Sequence, residues 1–177
     1  MAVIEAIATT YLEADAASVT FSGISGSYQN LQLRMSVRSQ DAGSGGYWGN
    51  VKIQLNGAAG TAYSYHMIMG GDPYAAGSNT AQTNKVTGDS YQLAGYASTD
   101  INHAANYATG VLDFFDYSDD GNKNTTMLAS VGHTGTNPVV SFGSGLWDST
   151  DDVTSITITD TSGFWRGSEF TLYGITG

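Results

Sequence analysis

Val153-Thr-Ser-Ile-Thr-Ile-Thr159, Asp160-Thr-Ser-Gly163 and Phe164-Trp-Arg-Gly-Ser-Glu-Phe-Thr-Leu-Tyr-Gly-Ile175 are the stretch that decides the fold class. The first run alternates, so Ile156 and Ile158 point to one face of a strand, and Ser155, Thr157 and Thr159 to the other. The next four residues carry turn chemistry, and the last run reads as a returning strand with Gly167 free to bulge or bend. The expected element is a β-hairpin in which Phe170 and Leu172 face inward with the two isoleucines. Thr171, Tyr173 and Ile175 then share the opposite face, which is more apolar than a water-washed strand face usually is and so suits a cover. A lone hairpin is marginally stable, so earlier strands must complete its sheet.

The same period recurs upstream. Leu31-Gln-Leu-Arg-Met-Ser-Val-Arg38 alternates most cleanly, which assigns Leu31, Leu33, Met35 and Val37 to the core and Gln32, Arg34, Ser36 and Arg38 to a solvated face. Ser18 to Phe21, Val51 to Leu55, Thr61 to Met69, Ser90 to Ala97, Val111 to Tyr117, Thr125 to Val131 and Val139 to Phe142 are further strand candidates. In the run from Thr61, Tyr63, Tyr65 and Met67 share one side, and His66 and Ile68 the other. Asn56-Gly57 closes a strand, and Asp100 to Asn106 suits one helical turn. Gly70 to Gly88 reads as a long loop with a functional or contact role. Met1 to Ala17 reads as a strand or an extended N-terminal arm. Many short strands separated by turn signals predict an all-β fold: a two-sheet antiparallel sandwich of jelly-roll type, one domain over 1–177, with first and last strands adjacent.

Composition agrees and excludes several functions. Charged residues are 12% of 177, with 23 glycines and 11 tyrosines, which is a β composition rather than a helical one. Sixteen acidic against six basic residues give a formal charge of -10, which repels nucleic acid and anionic membranes. With 0 cysteines there is neither a disulfide nor a thiolate metal site. No stretch approaches transmembrane length and the first residues lack a secretory pattern, so the expected product is soluble and made in the cytoplasm.

Reactive constellations are missing from the sequence. There is no Gly-x-Ser-x-Gly elbow, His-Glu-x-x-His pair or phosphate-binding Gly-x-x-x-x-Gly-Lys. Glu5, Glu13 and Glu169 are too scattered for a glycosidase pair, and Asp113 and Asp116 fall on opposite faces of a strand. His66, His103 and His133 are isolated from one another. Asp116-Tyr-Ser-Asp-Asp-Gly-Asn-Lys-Asn124 opens like a calcium loop, but Met127 stands where the closing carboxylate belongs. A hairpin turn at Asp120-Gly121 is the better reading. No catalytic residue, cofactor or metal is therefore expected. Tyr47 and Trp48 form an aromatic platform for a sugar or partner, or else Trp48 enters the core at the start of the next strand; Tyr74 carries the same ambiguity.

Ala17-Ser-Val-Thr-Phe-Ser-Gly-Ile-Ser-Gly-Ser-Tyr-Gln-Asn-Leu-Gln-Leu-Arg-Met-Ser-Val-Arg-Ser39, with Asn56-Gly57 and the run from Phe164 to Ile175, resembles a group of small tailed-bacteriophage virion proteins. Those proteins are capsid decoration (cement) or fibre-associated subunits with lectin-like jelly rolls. The resemblance implies a virion structural protein on the capsid exterior, made in the host cytoplasm. It would bind the major capsid protein and itself, as a trimer or dimer. Host glycan is the alternative partner. Candidate contacts are Ile4 and Tyr11 of the N-terminal segment, Tyr47, Trp48, Tyr74 and Tyr173.

Overall fold

The computed structural model describes residues 3–41, 48–71, 82–99, 106–131 and 139–177. Twelve strands follow in chain order: β1 (Val3–Tyr11), β2 (Ala16–Ser22), β3 (Asn30–Val37), β4 (Trp48–Leu55), β5 (Tyr63–Gly71) and β6 (Gln82–Asp89), then β7 (Gln92–Ser98), β8 (Ala108–Phe115), β9 (Lys123–Val131), β10 (Val139–Trp147), β11 (Ser155–Phe164) and β12 (Glu169–Thr176). No helix occurs among the described residues. The strands form an eight-stranded sheet in the order β1-β12-β3-β8-β9-β10-β5-β6 and a four-stranded sheet in the order β2-β11-β4-β7. Every strand pair is antiparallel, and the two sheets make a jelly-roll-like sandwich.

Alternation fills the space between the sheets. Leu31, Leu33, Met35 and Val37 of β3, Phe170 and Leu172 of β12, and Leu112 and Phe114 of β8 are buried from the large sheet. Val19 and Phe21 of β2, Val51, Ile53 and Leu55 of β4, and Ile156 and Ile158 of β11 meet them from the small one. Each such side chain stabilises the fold by about 1.5–3 kcal/mol relative to exposure. Tyr63 ties the layers together: its hydroxyl accepts from Leu55 N at 2.7 Å and donates to Leu55 O at 3.3 Å. The first and last strands do lie side by side, Val3 opposite Thr176 and Tyr11 opposite Glu169. The segment read as a strand or an arm is thus sheet from Val3, and its other end, from Ala16, belongs to β2.

The hairpin expected over Val153 to Ile175 is not one. β11 pairs with β2 and β4 in the small sheet, whereas β12 pairs with β1 and β3 in the large sheet. Ile156 and Ile158 do bury with Phe170 and Leu172, but from opposite layers of the core. Phe164 and Phe170 meet edge to face, 5.1 Å between centroids. Asp160 to Gly163, read as the turn, lies inside β11, where its register against β2 jumps between Thr159 and Phe164. The chain changes layer at Trp165 to Ser168, which is stapled by Gly167 N to Leu12 O at 2.7 Å and Leu12 N to Ser168 O at 2.9 Å. Gly167 adopts φ +86 there, and a Cβ would overlap the Tyr107 hydroxyl, which donates to Arg166 O at 2.9 Å.

Two further readings change. The end of the long Gly70 to Gly88 loop is strand β6, paired with β5; positions 72–81 lie outside the described residues. Arg38, assigned to a solvated face, is buried: β3 ends at Val37, and Arg38 leaves its alternation to form an isolated bridge with Ser98, its guanidinium 5.2 Å above the Trp165 ring. The expected helical turn at 100–106 also falls mostly outside the described residues.

Candidate functional site

The outer face of the large sheet holds the most unusual surface of the molecule. β10 reverses the common alternation: Ser141, Gly143 and Gly145 point inward, and Val140, Phe142 and Leu146 point outward. Space dictates this. A Cβ on Gly143 would come within 2.8 Å of His66 O, and one on Gly145 would overlap the Gln92 side chain, which crosses from β7 to donate to Thr125 Oγ1 at 2.5 Å. Val139 and Trp147 fill the core at the two ends of the strand, and between them the inward positions at Gly143 and Gly145 leave no room for a side chain.

Register then assembles a row. Phe142 lies opposite Leu128 of β9 on one side and Ile68 of β5 on the other, and Leu128 lies opposite Val111 of β8. Leu128 is 53% exposed, Phe142 55%, Ile68 47%, and Val140 in the next row 53%. Single exposed apolar residues mean little, but a contiguous row across four strands marks an interaction surface. Beyond Val111 the row continues to Arg34 and Thr171. A polar network borders it: Arg34 Nε donates to Gln32 Oε1 and Gln32 Nε2 to Asp113 Oδ1, both at 2.7 Å. The Arg34 guanidinium sits 4.7 Å over the Tyr173 ring, which holds that phenol against the sheet.

Toward the β8–β9 turn the face hollows into an open groove of about 580 Å³, whose lining includes Ser64, His66, Phe115, Asn124, Thr126, Ser144 and Leu146. Tyr65 also lines it, its phenol pushed up to about 12 by burial and, secondarily, by Tyr91 and Asp89, so the ring stays neutral across the biological range. Among the described residues its lining offers an aromatic ring, hydroxyls, an amide and an imidazole.

The turn read as a calcium-loop mimic joins β8 to β9 as a hairpin. Its carbonyls already hold a cation. Lys123 is buried, and its ammonium donates to Asp119 O and, at 2.5 Å, to Gly121 O. Among the described residues no group of three or more His, Asp or Glu could hold a metal ion. The buried acid among the described residues is Asp160, which accepts from Ser39 Oγ at 2.6 Å and Ser162 N at 3.0 Å. Burial raises its pKa, the Ser39 bond opposing, and Oδ2 has no hydrogen-bond partner.

Of the six contact residues expected from sequence, the structure brings three to one face. Ile4 is opposite Ile175, Tyr11 is opposite Glu169, and Tyr173 lies between Ala6 and Gln32, all on the outer side of the large sheet. Trp48 instead packs toward the core at the start of β4, edge to face with Tyr96 at 5.8 Å. Tyr47 and Tyr74, like His103 and His133, lie outside the described residues. Sequence reasoning missed Leu128, Phe142, Val140 and Phe115. The signal was Val139-Val-Ser-Phe-Gly-Ser-Gly-Leu-Trp147, whose glycines mark the tight side.

The fold and face define an antiparallel β-sandwich whose large sheet carries an apolar row on its outer face, bordered by the Arg34, Gln32 and Asp113 network. The sequence matches no family model and no curated protein. Among solved structures the chain is similar to SCP-B, a member of the eqolisin family of peptidases, in complex with the tripeptide Ala-Ile-His. Identity is 12%, covering 92% of this chain and 64% of that one, with a TM-score of 0.27. At that score the likeness carries no argument about fold or function.

Proposed function

We propose that this chain is a structural subunit of a bacteriophage virion, a head decoration protein that docks on the outer capsid surface through the outer face of its large sheet. The observation that carries the reading is the row Val111, Leu128, Phe142 and Ile68, in which Leu128, Phe142 and Ile68 are exposed apolar side chains side by side on neighbouring strands. Such a face gains by burial against a partner, and the core of a protein interface is where charges are depleted. Binding of this kind stabilises a shell by mass action, since the contact exists only on the assembled lattice. The major capsid protein is the partner assigned to this face. The test is cryo-electron microscopy of purified particles with icosahedral averaging, using wild type and Phe142→Asp. Wild-type density on the lattice with the large sheet toward the capsid, and loss of occupancy in the variant, are expected. Absence of wild-type density from the lattice, or docking through the small sheet, overturns the reading.

The groove favours a second reading, attachment to host glycan. A groove with Phe115 beside Asn124, His66 and Ser144 suits the apolar face and hydroxyls of a sugar ring. A glycan array decides it: hits lost in Asn124→Ala support this reading, and an empty array removes it.

A further inference from the structure

We propose that Asn56-Gly57, the chain's one Asn-Gly pair, is a covalent modification site gated by the fold. While the corner after β4 is closed the pair is held unreactive, and opening of that corner converts Asn56 one way, by deamidation, to aspartate and isoaspartate. The reaction needs no enzyme. Gly57 N attacks the Asn56 side-chain carbonyl carbon, the new C–N bond closes a succinimide, and Nδ2 leaves as ammonia with the Gly57 N–H proton. Water then opens the ring, at the side-chain carbonyl to give aspartate or at the main-chain carbonyl to give isoaspartate. Glycine has no side chain to screen the attacking nitrogen, and the space where its Cβ would stand is empty to 4 Å.

Both residues lie in the left-handed region, Asn56 at φ 53 and Gly57 at φ 64, and Ala58 N donates to Leu55 O at 2.9 Å across them. That is the tight turn of a hairpin, yet β4 and β5 belong to different sheets. Partners from another segment hold it. Asn56 N donates to Ser155 O at 2.9 Å, which carries the β4–β11 ladder one step further. The side chain then clasps the start of β11. Its Oδ1 accepts from Thr154 N at 2.8 Å, Ser155 N at 3.0 Å and Thr154 Oγ1 at 3.2 Å, and its Nδ2 donates to Asp152 O at 2.7 Å. The clasped segment is anchored in turn, Ile24 N to Thr154 O at 3.0 Å and Val153 N to Tyr117 O at 2.9 Å, with Val153 buried.

The clasp and the reaction exclude each other. A succinimide joins the side chain to its own main chain and expels Nδ2, the atom bonded to Asp152 O, so the ring cannot form while the clasp is whole. Isoaspartate then makes the change permanent. It routes the main chain through Cβ, adding a methylene between Cα and Gly57 at the centre of a turn that both φ values define. The corner does not reclose on that product.

Peptide mass mapping of the full chain tests the proposal, at mildly alkaline pH and over a guanidinium series that spans unfolding. In native buffer deamidation at Asn56 is expected about tenfold or more slower than in the unfolded chain, because the clasp must open first. Along the series the rate should rise with opening of this corner, read from hydrogen exchange of the Thr154 and Ser155 amides. Aged chains are then returned to buffer. Unmodified chains should regain protection at those two amides, and chains with isoaspartate in place of Asn56 should not. Equal rates in native and unfolded chains, or no deamidation at Asn56 in denaturant, overturn the gated site. Full recovery of protection by the isoaspartate chains overturns its one-way character.

Discussion

Asp160 is the residue at which burial and charge most directly oppose each other. Its Oδ1 is satisfied by Ser39 and Ser162, its Oδ2 has no partner, and Gly49 packs so close that a Cβ there would overlap the carboxylate. A carboxyl whose pKa rises on folding favours the folded state in its protonated form. Its contribution is complete below the ordinary aspartate value of 3.8 and is lost as pH rises through the raised one. Urea midpoints measured across the acidic range should therefore show a decline with rising pH that Asp160→Asn removes. Identical slopes for the two proteins would contradict this account. Such a site is not legible in sequence, because Asp160-Thr-Ser-Gly163 has the composition of an exposed turn. Only the packing of Gly49 against β11 buries the carboxylate, while Thr161 and Ser162 beside it stay exposed.

At the scale of elements, the β8–β9 turn shows how a lysine can occupy a place that sequence pattern offers to a metal. With the Lys123 ammonium on the carbonyls of Asp119 and Gly121, added chelator should leave the melting temperature unchanged. Lys123→Met should lower stability by about 1.5–3 kcal/mol, the range for hydrogen bonds to a charged group, read from urea denaturation. A chelator-sensitive transition would return the loop to calcium. The hairpin itself was readable from Asp120-Gly121 between two β runs, and the inward sets of β3, β5, β11 and β12 were readable from alternation. What alternation cannot say is which sheet a strand joins. Ile156, Ile158, Phe170 and Leu172 bury equally well from one layer or from two, and the difference lies in the layer crossing at Trp165 to Ser168. The apolar face of β10 was hidden for a related reason: a period of two marks two sides, and only the neighbours' bulk decides which is inside.

For the whole molecule, the imbalance of eight strands against four leaves a broad sheet face to the outside, and its apolar row is a surface feature rather than a part of the core. Phe142→Asp should accordingly stay within about 0.5 kcal/mol of wild-type stability, as substitutions on exposed positions do, while changing what the face binds. A loss of several kcal/mol would mean that the row is structural and would remove the support it lends to docking. The pairing of β1 with β12 carries a mechanical consequence. Val3 and Thr176 face each other at one end of that antiparallel pair. Tension drawn through these two residues would peel the ladder bond by bond, as a zipper opens, rather than load all its bonds together in shear. The domain is thus soft to a pull along its chain and better suited to bearing load broadside, through the sheet face.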